Sequence, residues 1–176
     1  MQAYGANADR TPVARNDRRV LPGGVQTWLP VSTRSVAGMS EWNDKVIAEF
    51  RDNGGRVGGH FEGAPLLLLH TAGARSGEPR TNPMMYMAVE GGWAVFASYA
   101  GLDVNPAWFH NLKAHPDVAI EVGTDGQVET IDVHARVMTR DEREPVWEEQ
   151  KRRYPGFAGY EKKTARVIPV MLLTRR

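Results

Sequence analysis

Thr71-Ala72-Gly73-Ala74-Arg75-Ser76-Gly77-Glu78-Pro79-Arg80-Thr81-Asn82-Pro83-Met84 is the stretch on which the fold turns. Upstream lies a run of leucines, Leu66 to Leu69, and downstream an apolar run, Met84-Met85-Tyr86-Met87. Both flanks read as buried strands and the middle as a tight turn. Gly73, Gly77 and Pro79 give that turn its backbone freedom and its fixed φ. Two guanidiniums (Arg75, Arg80), a hydroxyl (Ser76) and amides beside glycine are packed into it. Arginine forks and a concave run of N–H groups suit the oxygens of an anion. An exposed hairpin loop with Arg75 paired to Glu78 is the plain alternative.

Strand signals continue outward from this turn. The first strand spans about 65–71 and the second about 80–89, which Glu90-Gly91-Gly92 turns into a third, Trp93 to Ser98. Asn105 caps a short helix with Pro106 at its first position, carrying Trp108, Phe109 and Leu112 and ending near His115-Pro116. Val118 to Val122 form a fourth strand. Beyond Gly123-Thr124-Asp125-Gly126, Ile131, Val133, Ala135 and Val137 alternate with Asp132, His134 and Arg136, as in a strand with one buried face. Thr139-Arg140-Asp141-Glu142 is a capping box for a helix to about Arg153. Tyr154-Pro155-Gly156 breaks it before a short helix with Phe157 and Tyr160. The last strand runs from Val167 to Leu173, and Pro169 assigns it to an edge or a bulge. Ahead of all this, Ser40 caps a helix to about Asn53, with Trp42, Val46, Ile47 and Phe50 on one face and Gly54-Gly55 at its end.

Six strands with mostly tight connections and short helices imply a mainly β (α+β) antiparallel barrel; a doubly wound sheet would need a long helix between most strands. At 176 residues the chain reads as one domain, 40–176, after a flexible extension, 1–39. Arg10, Arg15, Arg18, Arg19 and Arg34, with Trp28 and Leu29, give the extension an alternative role in weak contact with a membrane surface.

Several function classes are excluded. The 22 basic and 21 acidic residues leave a net charge of +1, too little for a nucleic-acid field. No cysteine is present, so thiolate and disulfide chemistry are out and a cytoplasmic, or membrane-peripheral, location fits. No apolar run approaches the ~20 residues of a membrane span. The histidines lack metal-ligand spacing: His110 and His115 are five apart and Pro116 follows. Ser76 stands one place late for a nucleophile elbow. Gly54-Gly55 and Gly58-Gly59 make neither phosphate-binding glycine fingerprint. A chain without its own nucleophile or acid–base set points to a cofactor for the hard chemistry.

Gly73 to Pro83 (G-A-R-S-G-E-P-R-T-N-P), Ala97-Ser98, Asn105 to Pro116 (N-P-x-W-F-x-N-L-K-A-H-P), Arg153 to Tyr160 (R-Y-P-G-F-x-x-Y) and Arg166 to Val170 (R-x-I-P-V) together resemble the deazaflavin-dependent nitroreductase family. Its members are quinone and nitro-compound reductases that use reduced coenzyme F420. The resemblance implies a six-stranded split β-barrel of the FMN-binding type. It also implies hydride transfer from reduced F420 to a quinone, enone or nitro compound. Carried over by position, Arg75, Ser76, Gly77 and Arg80 are expected at the coenzyme's phosphate and acidic tail. Pro83, Met84 and Met85 would border the ring. Phe96, Ala97, Ser98 and Tyr99 would run beneath it and offer amides to its polar edge, and Ala107 and Trp108 would close the site. Tyr154, Phe157 and Tyr160 would face the substrate, with Tyr154, Tyr160, Ser98 or water giving the proton. Two departures stand out: Ala74-Arg75 replaces the family's Arg-Lys, and Phe157 replaces a tyrosine proposed as proton donor in members that activate nitroimidazoles. Phenylalanine cannot donate. A non-catalytic F420 carrier and an FMN-dependent enzyme on the same barrel are the alternatives.

Overall fold

The computed structural model describes residues 36–176. The expectations for 1–35, including membrane contact, lie outside the described residues. The leucine run explains the architecture. Leu67 and Leu69 belong to one apolar cluster with Met84, Val95, Ile120, Val133 and Leu173, inside a closed barrel. Leu66 and Leu68 face the other way, into a cluster with Val46, Phe50 and Val57. A strand buried on both faces needs a continuous apolar run, which is why alternation is missing there.

The strands are β1 (Leu66–Ala72), β2 (Pro79–Val89), β3 (Gly92–Phe96), β4 (Asp117–Thr124), β5 (Gln127–Val137) and β6 (Val170–Arg175). Their order is β1-β2-β3-β6-β5-β4, every pair is antiparallel, and β4 closes on β1 with Leu68 opposite Glu121. The barrel is split along β2. Residues 79–85 of β2 pair with β1, but β3 joins only from Tyr86 to Val89. Pro83, which lacks an N–H, sits in that half-paired stretch, where a strand tolerates it.

Four helices dress the barrel: α1 (Val36–Asp52), α2 (Ala107–Ala114), α3 (Arg140–Arg153) and α4 (Gly156–Glu161). Phe109 and Leu112 of α2 plug the barrel interior. Trp147 of α3 and Phe157 of α4 cover an outer face with Phe96, Ile168 and Val170. The end of α1 docks on the β4–β5 hairpin by backbone contact. A Cβ on Gly54 would lie 2.2 Å from the Gly126 carbonyl oxygen, and one on Gly55 2.3 Å from Gly123 Cα, so only glycine fits at either place. Arg51 fastens the same end, donating from Nε and Nη2 to the Glu121 carboxylate at 2.9 and 2.5 Å. His70 Nε2 meets that carboxylate at 2.7 Å.

The barrel and the capping box are as expected: the Thr139 hydroxyl accepts from Glu142 N–H while the Glu142 carboxylate accepts from Thr139 N–H. Four local readings need correction. α1 begins at Val36, so Ser40 lies inside the helix. Ala37 and Met39 favour helix, and Gly38 between them costs only about 1 kcal/mol, so nothing forces a start at Ser40. α2 has Pro106 at its cap with no side-chain cap bond, because the Asn105 carbonyl oxygen is taken by Arg166 at 2.7 Å. Val137 is exposed, since it lies at the very end of β5. β6 starts after Pro169 and runs between β3 and β5, so it is no edge strand. No helix among the described residues is long and apolar enough to cross a membrane.

Candidate active site

Where β2 outruns β3, a cleft of about 990 Å³ opens. Met85 belongs both to the apolar cluster under α1 and to the cluster under α3 and α4, and it lines the cleft between them. A volume of this order is at the upper end for a small-molecule site.

The β1–β2 turn supplies the polar lining. Gly73 N–H donates to the Glu78 carbonyl and Gly77 N–H to the Gly73 carbonyl, both at 2.8 Å, and Glu78 N–H donates to the Ser76 hydroxyl at 3.3 Å. The bend is therefore tied across itself. It is also tied to α2: the Asn111 carbonyl oxygen accepts from Ala74 N–H at 2.9 Å, and the Asn111 amide donates to the Thr71 hydroxyl at 3.2 Å. Asn111 and Thr71 are both buried. Arg80 pairs with Glu78 at 2.7 Å, with both side chains more than half exposed. The pairing considered for the turn was Arg75 with Glu78; the geometry gives Glu78 to Arg80 instead. Among the described residues Arg75 has no ion-pair or hydrogen-bond partner.

A second polar element follows β3. Tyr99 and Ala100 take positive φ values of 46° and 54°, a left-handed conformation unusual outside glycine, and both line the cleft. Strain of this kind persists only where its surroundings hold it. Arg166 does the holding, with Nε donating to Leu102 O at 2.8 Å and Nη2 to Ala97 O and Ser98 O at 2.9 and 3.0 Å. Burial pushes the Arg166 guanidinium below its ordinary value, with Asp103 opposing the shift.

Apolar walls complete the cleft. Phe157 stacks edge-on against Phe96, Trp147 and Tyr160 with centroids 5.5, 5.9 and 5.4 Å apart. Glu161 locks α4 to α3 by accepting from Trp147 Nε1 and Lys151 Nζ, each at 2.9 Å. Burial raises the Tyr160 hydroxyl above its usual value, which makes it a weaker acid than an exposed phenol.

The residues expected at the site come together. Arg75, Ser76, Arg80, Pro83, Met84, Met85, Phe96, Ser98, Tyr99, Ala107, Trp108, Tyr154, Phe157 and Tyr160 all line this cleft. Gly77 and Ala97 do not. Gly77 shapes the bend at φ 68°, and Ala97 is fully buried among the barrel-interior side chains. Phe157 is buried, so little of its ring reaches the cleft. Other lining residues were not among the candidates; most neighbour them in the chain, but three come from ahead of the barrel. Asn43 comes from α1, and His60 and Phe61 from a single 3-10 turn, Gly59–Phe61. Trp42 packs on Phe61 with centroids 5.5 Å apart, so the aromatic face of α1 was the available signal.

One cleft of the split β-barrel thus brings together the Arg75 guanidinium, the β1–β2 bend and apolar walls. Residues 42–175 match the F420H(2)-dependent quinone reductase family. The F420H(2)-dependent quinone reductase Rv1261c of Mycobacterium tuberculosis is 39% identical over 137 residues, covering 73% of this chain and 87% of the relative. A solved F420-H2 dependent reductase, FDR-A, is 37% identical with a TM-score of 0.55, covering 66% of this chain and 99% of that one. A solved structure described as a domain-swapped dimer is 33% identical with a TM-score of 0.56, covering 79% of this chain and 99% of that one. The chain belongs to the F420H(2)-dependent quinone reductase family, a family defined by its dependence on reduced coenzyme F420.

Proposed function

We propose that this chain reduces a quinone at the expense of reduced coenzyme F420 bound in the β2–β3 cleft. The observation that carries the reading is Arg75: a guanidinium with no partner among the described residues, on a bend knotted to the barrel and opening on the same cleft as apolar and aromatic walls. That combination fits a flat ring joined to an anionic tail. Arg75, the Ser76 hydroxyl and Arg80 would hold the phosphate and acidic tail. Pro83, Met84, Met85, Ala107 and Trp108 would wall the ring, and Ser98 and Tyr99 would meet its polar edge.

Reduced F420, when bound, supplies a hydride. The protein's part is to fix the angle of approach and keep water away, the effects through which positioning lowers a barrier. A hydride and one proton convert a quinone to a hydroquinone, and the coenzyme leaves oxidised. Tyr160, Tyr154 and Ser98 line the same cleft and carry hydroxyls that could pass the proton, as could water. Enones and nitro compounds are the secondary acceptors in this reading. Phe157 has no proton to offer, so nitro reduction of the prodrug-activating kind is expected to be weak.

Titration with F420, followed by quenching of the chain's tryptophan fluorescence, tests binding; oxidation of the reduced coenzyme by a panel of quinones, enones and nitroarenes tests turnover. Saturable binding with quinone-dependent oxidation is the expected result. Binding without turnover would make the protein a carrier, and a preference for FMN over F420 would overturn the cofactor assignment.

A further inference from the structure

Arg166 lies outside the cleft lining, yet four of its hydrogen bonds go to the segment that forms one wall. Two of them matter most. Nη2 donates to the Ala97 and Ser98 carbonyls together, at 2.9 and 3.0 Å. No peptide bond among the described residues is cis. In a planar trans peptide the C=O and N–H point in opposite directions. Drawing two successive carbonyls toward one guanidinium therefore turns two successive N–H groups, those of Ser98 and Tyr99, away from it. Neither N–H has a hydrogen-bond acceptor among the described residues. Ser98 and Tyr99 both line the cleft. The left-handed turn that follows is held by the same guanidinium through Leu102 O and the Asn105 side chain, at 2.8 and 2.7 Å.

We propose that Arg166 is the positioning residue of the ring site: by gathering the Ala97 and Ser98 carbonyls behind the wall, it presents the Ser98 and Tyr99 amides as a paired donor to a carbonyl edge of the bound ring. The proposal rests on the F420 reading for the identity of that ring, but the clamp itself does not. Lysine cannot replace it, because one ammonium does not span four acceptors spread from residue 97 to residue 105.

Arg166→Ala, Arg166→Lys and Asn105→Ala, compared with the unaltered chain, test it. In Arg166→Ala the tail contacts at Arg75 remain, so coenzyme binding weakens only a few-fold. Turnover falls about 100-fold, the size of loss that a misplacement near 1 Å produces. The absorption band of bound oxidised coenzyme moves toward its free position. Methylguanidinium restores part of both in Arg166→Ala, and Arg166→Lys restores neither. Asn105→Ala, which keeps three of the four contacts, falls between. Without coenzyme, exchange of the Gly101 amide, bonded to Ser98 O at 2.9 Å, is faster in Arg166→Ala. A folded Arg166→Ala with unchanged Gly101 exchange and an unchanged band overturns the proposal. If that variant does not fold, an unchanged band and turnover in Asn105→Ala overturn it. Failure of the unaltered chain to bind F420 would refute the functional reading instead, leaving Gly101 exchange to decide the clamp.

Discussion

Arg75 and Arg80 sit five residues apart on one bend and are not equivalent. Arg75 has no partner to release among the described residues; Arg80 must first release Glu78. A surface pair of this kind is worth about 0–1 kcal/mol, so it is easily given up, but it still subtracts from binding. A charge-assisted hydrogen bond contributes about 1.5–3 kcal/mol. Arg75→Ala should therefore raise the dissociation constant for F420 by roughly 10- to 150-fold, and Arg80→Ala by clearly less. Glu78→Gln should tighten binding slightly. Fluorescence titration of the three variants reads the order, and equal affinities throughout would remove the anion role from the bend. The bend's charge was legible in the sequence; the division of labour within it was not, because nothing local says which arginine Glu78 prefers.

Among the elements, the β1–β2 bend and α2 act as one piece through Asn111. Asn111→Asp keeps an acceptor for Ala74 N–H and loses the donor to Thr71; Asn111→Leu loses both. Asn111→Leu leaves the buried Thr71 hydroxyl without a partner, a loss of about 1–3 kcal/mol, while Ala74 is exposed and its N–H can turn to water; Asn111→Asp, which can still accept from both groups, should be destabilised by less. Thermal denaturation measures the stability, and F420 titration should show the same ranking. Six strands, the capping box and most of the site residues could be read from local pattern, since periodicity and cap chemistry act over a few residues. Asn111 and Arg166 could not. Their partners lie 37 to 69 positions away, and a hydrogen bond of that span leaves no mark on the sequence around it. Asn105 shows the same limit from the other side: its local chemistry suits a helix cap, and a distant guanidinium takes it.

For the molecule as a whole, acid should act through a few carboxylates. The Arg51 hydrogen bond is the largest influence on Glu121 and lowers its value; burial opposes this, and His70 adds to the lowering. Arg136, then the Thr139 backbone, bring Glu142 down to about 2. A carboxylate depressed in the folded state stabilises fully above its ordinary value and loses that contribution as pH falls through the depressed one. The melting temperature should thus hold steady from neutral pH to about 5 and drop below it. Glu121→Gln should cost about 1–2 kcal/mol at neutral pH, discounted because Arg51 is half exposed, and should blunt the acid drop. A variant melting in parallel with the unaltered chain at every pH would dismiss Glu121 as the sensor. The doubly buried leucine run has a consequence of its own. A one-residue slip ordinarily buries polar groups and is rejected, but Leu66 to Leu69 would exchange faces with no such penalty. Alignment of the first two strands must then be dictated by the closed bend at Gly73–Gly77 and by the His70–Glu121 contact across to β4. Sequence change at that bend is thereby constrained, because every substitution there also risks misthreading the barrel.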